Sequence, residues 1–140
     1  MNIKYRLESI KETEYRFNYD FDYESIQPDG VGIRIGHEFK PSIDDDRIVI
    51  CTKVIVVSNE TDTVLVTNAI SVAFGLSPMK DIISFDSKGR MTTQNSLILD
   101  TFIVATVGAM RGVLMKNLKG TPLEFVTIPL IPIESFRVNK

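Results

Sequence analysis

Side chains able to act as nucleophile, base or metal ligand are sparse in this chain, which has a single histidine, His37, and a single cysteine, Cys51. Nucleophilic catalysis needs a base within hydrogen-bond reach, and acid–base work by carboxylates needs a pair held in a cleft. His37 falls on the apolar side of an alternating stretch, beside Ile35 and Phe39, which suits a packed or hydrogen-bonded ring. Cys51 lies between Ile50 and Thr52 with no basic neighbour in sequence to lower its pKa, and reads as a buried thiol. Asp44-Asp45-Asp46 offers oxygen ligands fit for a hard cation. No spaced ligand pattern or bidentate Glu follows it, so a solvated loop is expected. Gly30, Gly32 and Gly36 make no phosphate loop, because no helix opens after them. The expectation is a protein that is not an enzyme, with no catalytic residue, metal or cofactor.

Two other features ask for an explanation. The first is an aromatic alternation: Tyr15, Phe17, Tyr19, Phe21 and Tyr23 point one way and Arg16, Asn18, Asp20 and Asp22 the other. Such a row is either core under a helix or an open surface for subunits or extended peptides. The second is Gly108-Ala-Met-Arg-Gly112 inside a helical pattern. Each interior glycine costs a helix about 1 kcal/mol against alanine. Thr101, Ala105, Gly108 and Gly112 line one flank, opposite Leu99, Phe102, Met110 and Val113. Small residues there admit another backbone, from a loop of the same chain or from the helix of a second subunit.

The elements that must position these residues follow from periodicity. The first strand spans Glu14 to Glu24, and Pro28-Asp29-Gly30 supplies a turn. A second strand carries Val31, Ile33, Ile35 and Phe39 on one face. After a polar connection from Pro41 to Asp46, the third runs from about Arg47 to Val57 and is apolar on both faces. Asn59 to Asp62 reads as a hairpin loop. The fourth strand puts Val64, Val66, Ile70, Val72, Phe74 and Leu76 on one face and the small residues Thr67, Ala69, Ser71, Ala73 and Gly75 on the other. Ser77 to Thr92 reads as loop, broken by Pro78 and Lys88-Gly89. A helix is expected from about Ser96 to Lys119, stopped by Gly120 and Pro122. Pro122, Pro129 and Pro132 make the tail irregular. The fold class is therefore α+β: a four-stranded antiparallel sheet covered by one long helix, with a Pro-containing C-terminal segment, in a single domain over 1–140.

With 140 residues, 44% of them hydrophobic and 24% charged, the chain has the composition of one globular domain. A net charge of −2 and scattered basic residues argue against nucleic acid. The most apolar stretch, Leu97 to Leu118, holds Asp100, Arg111 and Lys116, which argues against membrane insertion. The N-terminus has no apolar run of signal-peptide length, and a lone cysteine allows no internal disulfide. A cytoplasmic location is expected.

The order of elements resembles the SecB-type export chaperones. The matching stretches are YRFNYDFDY, GIRIGHEFKPSIDDDRIVICTKVIVVSNETDTVLVTNAISVAFGLS, LDTFIVATVGAMRGVL and IPLIPIESF, together running from Tyr15 to Phe136. The sequence departs from that family by inserting KNLKGTPLEFVTI between Arg111-Gly112 and Pro129, and by lacking a second long helix and acidic tail. The resemblance implies a chaperone or holdase for unfolded or nascent polypeptides, acting as a homo-oligomer, dimer or tetramer, through the long helix and sheet. Two other readings stay open. One is a non-catalytic structural or adaptor subunit that binds one folded partner. The other is a small-molecule-binding domain or an enzyme whose residues go unrecognised.

Overall fold

The computed structural model describes residues 3–93 and 95–132. Strands β1 (Lys4–Phe17), β2 (Val31–Ser42), β3 (Arg47–Ser58) and β4 (Val64–Ser77) form one antiparallel sheet in the order β1-β4-β3-β2. A hairpin of β5 (Ile83–Phe85) and β6 (Met91–Thr93) leads into helix α1 (Ser96–Leu118), which packs on β3 and β4. The α+β class is as expected. The Ser77–Thr92 stretch is not all loop: it contains that hairpin, turned at Gly89 with φ +78°, and a short 3-10 turn at Met79–Asp81.

The core lies between one face of the sheet and α1. Ile48, Ile50, Val54 and Val56 of β3 and Ile70, Val72, Phe74 and Leu76 of β4 are buried there, as the alternation requires. Phe74 stacks on Phe102 of α1, with ring centroids 4.2 Å apart and an interplanar angle of 11°. Val64 departs from the expected face. A register shift between Val56 and Val57 leaves Leu65 without an opposite residue, so Leu65 and Val66 are both buried while Val64 is 45% exposed.

The small face of β4 has a specific use. Arg6 of β1 and Arg47 of β3 both pair across the sheet with Gly75, and Glu8 reaches over it to Arg47 at 2.7 Å. Glu14 and Lys53 likewise both pair with Ala69 and meet at 3.4 Å. Bulk at Gly75 or Ala69 would stand between these charges. Cys51 belongs to this outer face and is half-buried rather than buried, because among the described residues no second layer covers it.

The first strand corrects the sequence reading. It starts ten residues before Glu14, at Lys4, and ends at Phe17 instead of Glu24. Register shifts between Leu7 and Ser9 and between Glu12 and Glu14 break the alternation and conceal the N-terminal half. At its end the side chains take over from the ladder. Asn18 Oδ1 accepts from the Asp20 amide and Asp22 Oδ1 from the Glu24 amide, each at 3.0 Å. Tyr19, Phe21 and Tyr23 therefore lie in turns, not on a strand face.

The helix ends where expected. Lys119 is its C-cap, Gly120 has φ +80°, and the Thr121 amide returns to the Leu118 carbonyl at 3.0 Å. The chain passes straight through Arg111-Gly112 as helix, so the first residues of the apparent insertion extend α1 and do not form a loop. After it, Thr121–Phe125 turns and irregular backbone runs back to Pro132. Length and hydropathy would allow α1 to cross a membrane, but Phe102, Met110, Leu114 and five other apolar side chains on it are buried against the sheet or its surroundings.

Candidate functional site: an apolar cleft beside an open sheet edge

Among the described residues both outer strands have one unpaired edge, but they differ. β1 is broken by its register shifts and carries charges along its length. β2 pairs with β3 without interruption from Val31 opposite Ser58 to Ser42 opposite Arg47, so its other edge is a long, straight row of main-chain donors and acceptors. On its inner face Val31, Ile33, Ile35, His37 and Phe39 are only half-buried, since α1 sits over the central strands.

Part of that row is met by the segment returning from α1. Val126 and Ile128 turn inward and are buried, while Phe125, Thr127 and Pro129 face Pro28, Val31 and Ile33 across a cleft of about 390 Å³. Arg111 secures the return: its Nε donates to the Ile128 carbonyl at 2.7 Å and its Nη2 to the Pro129 carbonyl at 2.9 Å. His37 sits further along the row, its Nδ1 2.8 Å from Thr52 Oγ1. Burial holds its pKa below the ordinary histidine value.

The turn at Pro28–Gly30 separates this cleft from a second recess of about 230 Å³, lined by Phe21, Ile26, Asp22, Asp29 and Glu60 among others. Here the aromatic residues gather. Phe17 lies 5.0 Å from Tyr19 and 5.4 Å from Tyr23, and Phe21 meets Tyr23 edge-on at 5.1 Å. Tyr23 donates to the Asn18 carbonyl at 2.6 Å, which pins the loop. Tyr19 remains 84% exposed. Tyr15 is apart from this group: its hydroxyl donates to the Asn117 carbonyl at 3.2 Å and ties β1 to α1. Burial raises the pKa of both Tyr15 and Tyr23. Of the aromatic row, four residues form one cluster and the fifth serves the core.

Thr101, Ala105, Gly108 and Gly112 are all exposed on one flank of α1. A Cβ added at Gly108 or Gly112 would meet nothing within 4 Å, so no loop of the described chain explains the glycines. Leu97, Val104 and Met115 are exposed on the same side of the helix. Next to α1, Tyr5, Leu7 and Ile10 of β1 are also about half exposed, with Tyr5 edge-on to Phe102 at 6.0 Å. A third recess, of about 400 Å³, is lined by Lys4, Arg6, Glu8 and Arg47 together with Tyr5 and Leu76. The Arg47 guanidinium there holds the Glu8 carboxyl below its ordinary range.

No protein family matches the chain by sequence, and no curated relative does. Among solved structures it is similar to the Mycobacterium tuberculosis Rv1957 SecB-like chaperone, solved in complex with a ChAD peptide from the Rv1956 HigA1 antitoxin. The TM-score is 0.59 over 91% of this chain and 90% of that one, at 10% identity. The fold is SecB-like. At that identity the likeness extends to element order and packing, and each side chain has to be argued from its own surroundings. Among the described residues a sheet edge, a cleft and a helix flank lie open. Sequence reasoning missed the cleft wall at Phe125–Pro129, whose signal was the loose alternation from Leu123 onward between prolines.

Proposed function

We propose that this chain is a SecB-like holdase that binds extended, unfolded or nascent polypeptide in the cytoplasm, without catalysis or cofactor. The observation that carries this reading is the uninterrupted open edge of β2 running beside the apolar cleft. A strand added at that edge gains main-chain hydrogen bonds that do not depend on its sequence, while alternate side chains enter apolar recesses. The peptide held by the similar chaperone supports the same use of the fold. Phe17, Tyr19, Phe21 and Tyr23 extend the apolar surface past the Pro28–Gly30 turn, and Tyr15 contributes by fixing β1 to the helix.

The working form in this reading is a homo-oligomer, dimer or tetramer. Thr101, Ala105, Gly108 and Gly112, with Tyr5, Leu7 and Ile10 beside them, would meet their own copies. Membrane insertion is not part of it, because eight apolar side chains of α1, Phe102, Met110 and Leu114 among them, are already buried within the chain. The test is light scattering of a chemically denatured protein diluted into buffer with this chain at equimolar ratio and no ATP. Suppressed aggregation of several unrelated substrates is expected, weakened by Thr127→Trp, which fills the cleft from an exposed position. Undiminished aggregation, alongside a known holdase that protects the same substrates, removes this reading in favour of an adaptor for one folded partner.

A further inference from the structure

The two walls of the cleft are held in different ways. The β2 wall, Val31 and Ile33, belongs to a continuous hydrogen-bonded ladder. The opposite wall, from Phe125 to Pro129, belongs to no strand or helix. Among the described residues, its backbone bonds are that of the Val126 amide to the Leu123 carbonyl at 2.9 Å and those from Arg111 to the carbonyls of Ile128 and Pro129. The buried side chains of Val126 and Ile128 fix how deep the segment sits. They also turn one side of the segment inward, and the two Arg111 hydrogen bonds hold the backbone from which Thr127 and Pro129 face the cleft on the other side.

We infer that Arg111 is a positioning residue for ligand binding: it sets the orientation of the cleft wall and, through it, the affinity for an extended chain. Successive carbonyls of extended backbone point to opposite sides, so one guanidinium that reaches both requires a bend at the Ile128–Pro129 step. Arginine can do this because its fork presents several donors in a fixed plane, whereas lysine offers a single point on a flexible stem. Among the described residues Arg111 is spent on carbonyls and not on a carboxylate. The inference rests on the cleft being the polypeptide site.

The experiment pairs a binding measurement with one that does not depend on binding. Wild type, Arg111→Lys and Arg111→Gln are titrated with a fluorescein-labelled unstructured peptide of alternating Leu and Ser, and the methyl order parameters of Ile128 and Ile50 are measured by NMR. Arg111→Gln is expected to lower peptide affinity about tenfold, the scale of one net hydrogen bond, since Val126 and Ile128 still seat the segment. Arg111→Lys should fall between the two. The Ile128 methyl should lose order in the same sequence while Ile50, in β3, keeps its value. An unchanged Ile128 overturns the inference, and so does a loosened Ile128 with unchanged affinity. Loss of order at both methyls overturns it too, since Arg111 would then serve general stability. If the wild type binds no peptide, the holdase reading falls, and the two methyls still decide whether Arg111 holds the wall.

Discussion

Asn117 of α1 and Asn68 of β4 share a hydrogen bond of 3.1 Å beneath the C-terminal end of the helix. Asn68 is fully buried and also donates to the Glu12 carboxylate at 2.9 Å and the Glu14 carbonyl at 2.8 Å. Asn117 joins it on Glu12 at 2.6 Å. This group sets the height of α1 along the sheet, which apolar contacts alone would leave free to slide. Asn68→Ala strands several partners at once and should cost about 2–3 kcal/mol, the scale of unsatisfied buried groups. Asn117→Ala, nearer solvent, should cost about 1 kcal/mol. Urea denaturation measures both, and equal small losses would show the network to be incidental.

Phe74 fills the space between β4 and Phe102. Phe74→Ala should lower stability by about 3–5 kcal/mol. Ala73→Ser, on the uncovered face, should change it by less than about 0.5 kcal/mol. Comparable losses at the two positions would contradict the register that pairs Phe74 with Ile48.

Gly108 faces open space in the single chain. Gly108→Leu should improve the intrinsic propensity of α1 by about 0.8 kcal/mol and still reduce the mass measured by light scattering, because bulk enters a contact between copies. A wild type that is already monomeric at tens of micromolar, on the concentration scale of weak association, would falsify the helix interface.

His37 gives the stability of the sheet a pH dependence of known sign. Its pKa is lower folded than unfolded because burial disfavours the imidazolium. Its neutral form is therefore compatible with the fold above the unfolded value of about 6.5, and stability falls as the pH drops below it. Between about pH 7 and about pH 5 the urea midpoint should decline in the wild type and decline less in His37→Gln. Parallel curves for the two proteins would assign the decline to carboxylates instead.

The parts of the fold legible in sequence are those where one period runs unbroken. The inner faces of β3 and β4, from Ile48 to Val56 and from Ile70 to Leu76, alternate cleanly and pack as read. The helix stop at Gly120 was written in local chemistry. Legibility failed where geometry departs from period. The register shifts in β1 hid Tyr5, Leu7 and Ile10, and the shift at Leu65 turned Val64 outward. The aromatic alternation misled for a different reason: it continues past Phe17, but Asn18 and Asp22 capture the amides that a strand would need. Of the site, the β2 row was visible and the wall from Phe125 to Pro129 was not, because its place depends on Arg111 in a distant element.

The pairing of β1 with β4 also dictates an order of assembly. β2 with β3, and β3 with β4, join through short turns and can zip up as soon as each is made, whereas Lys4 must wait for Ser77. Of the four strands of this sheet, β1 is thus made before the others and paired after them. While it waits it is a solitary strand exposed to every other chain in the crowd, the state in which strands mispair and aggregate. Its charged side chains and its two irregularities, which look like defects in the finished sheet, are the features that make such a strand a poor template for the wrong partner.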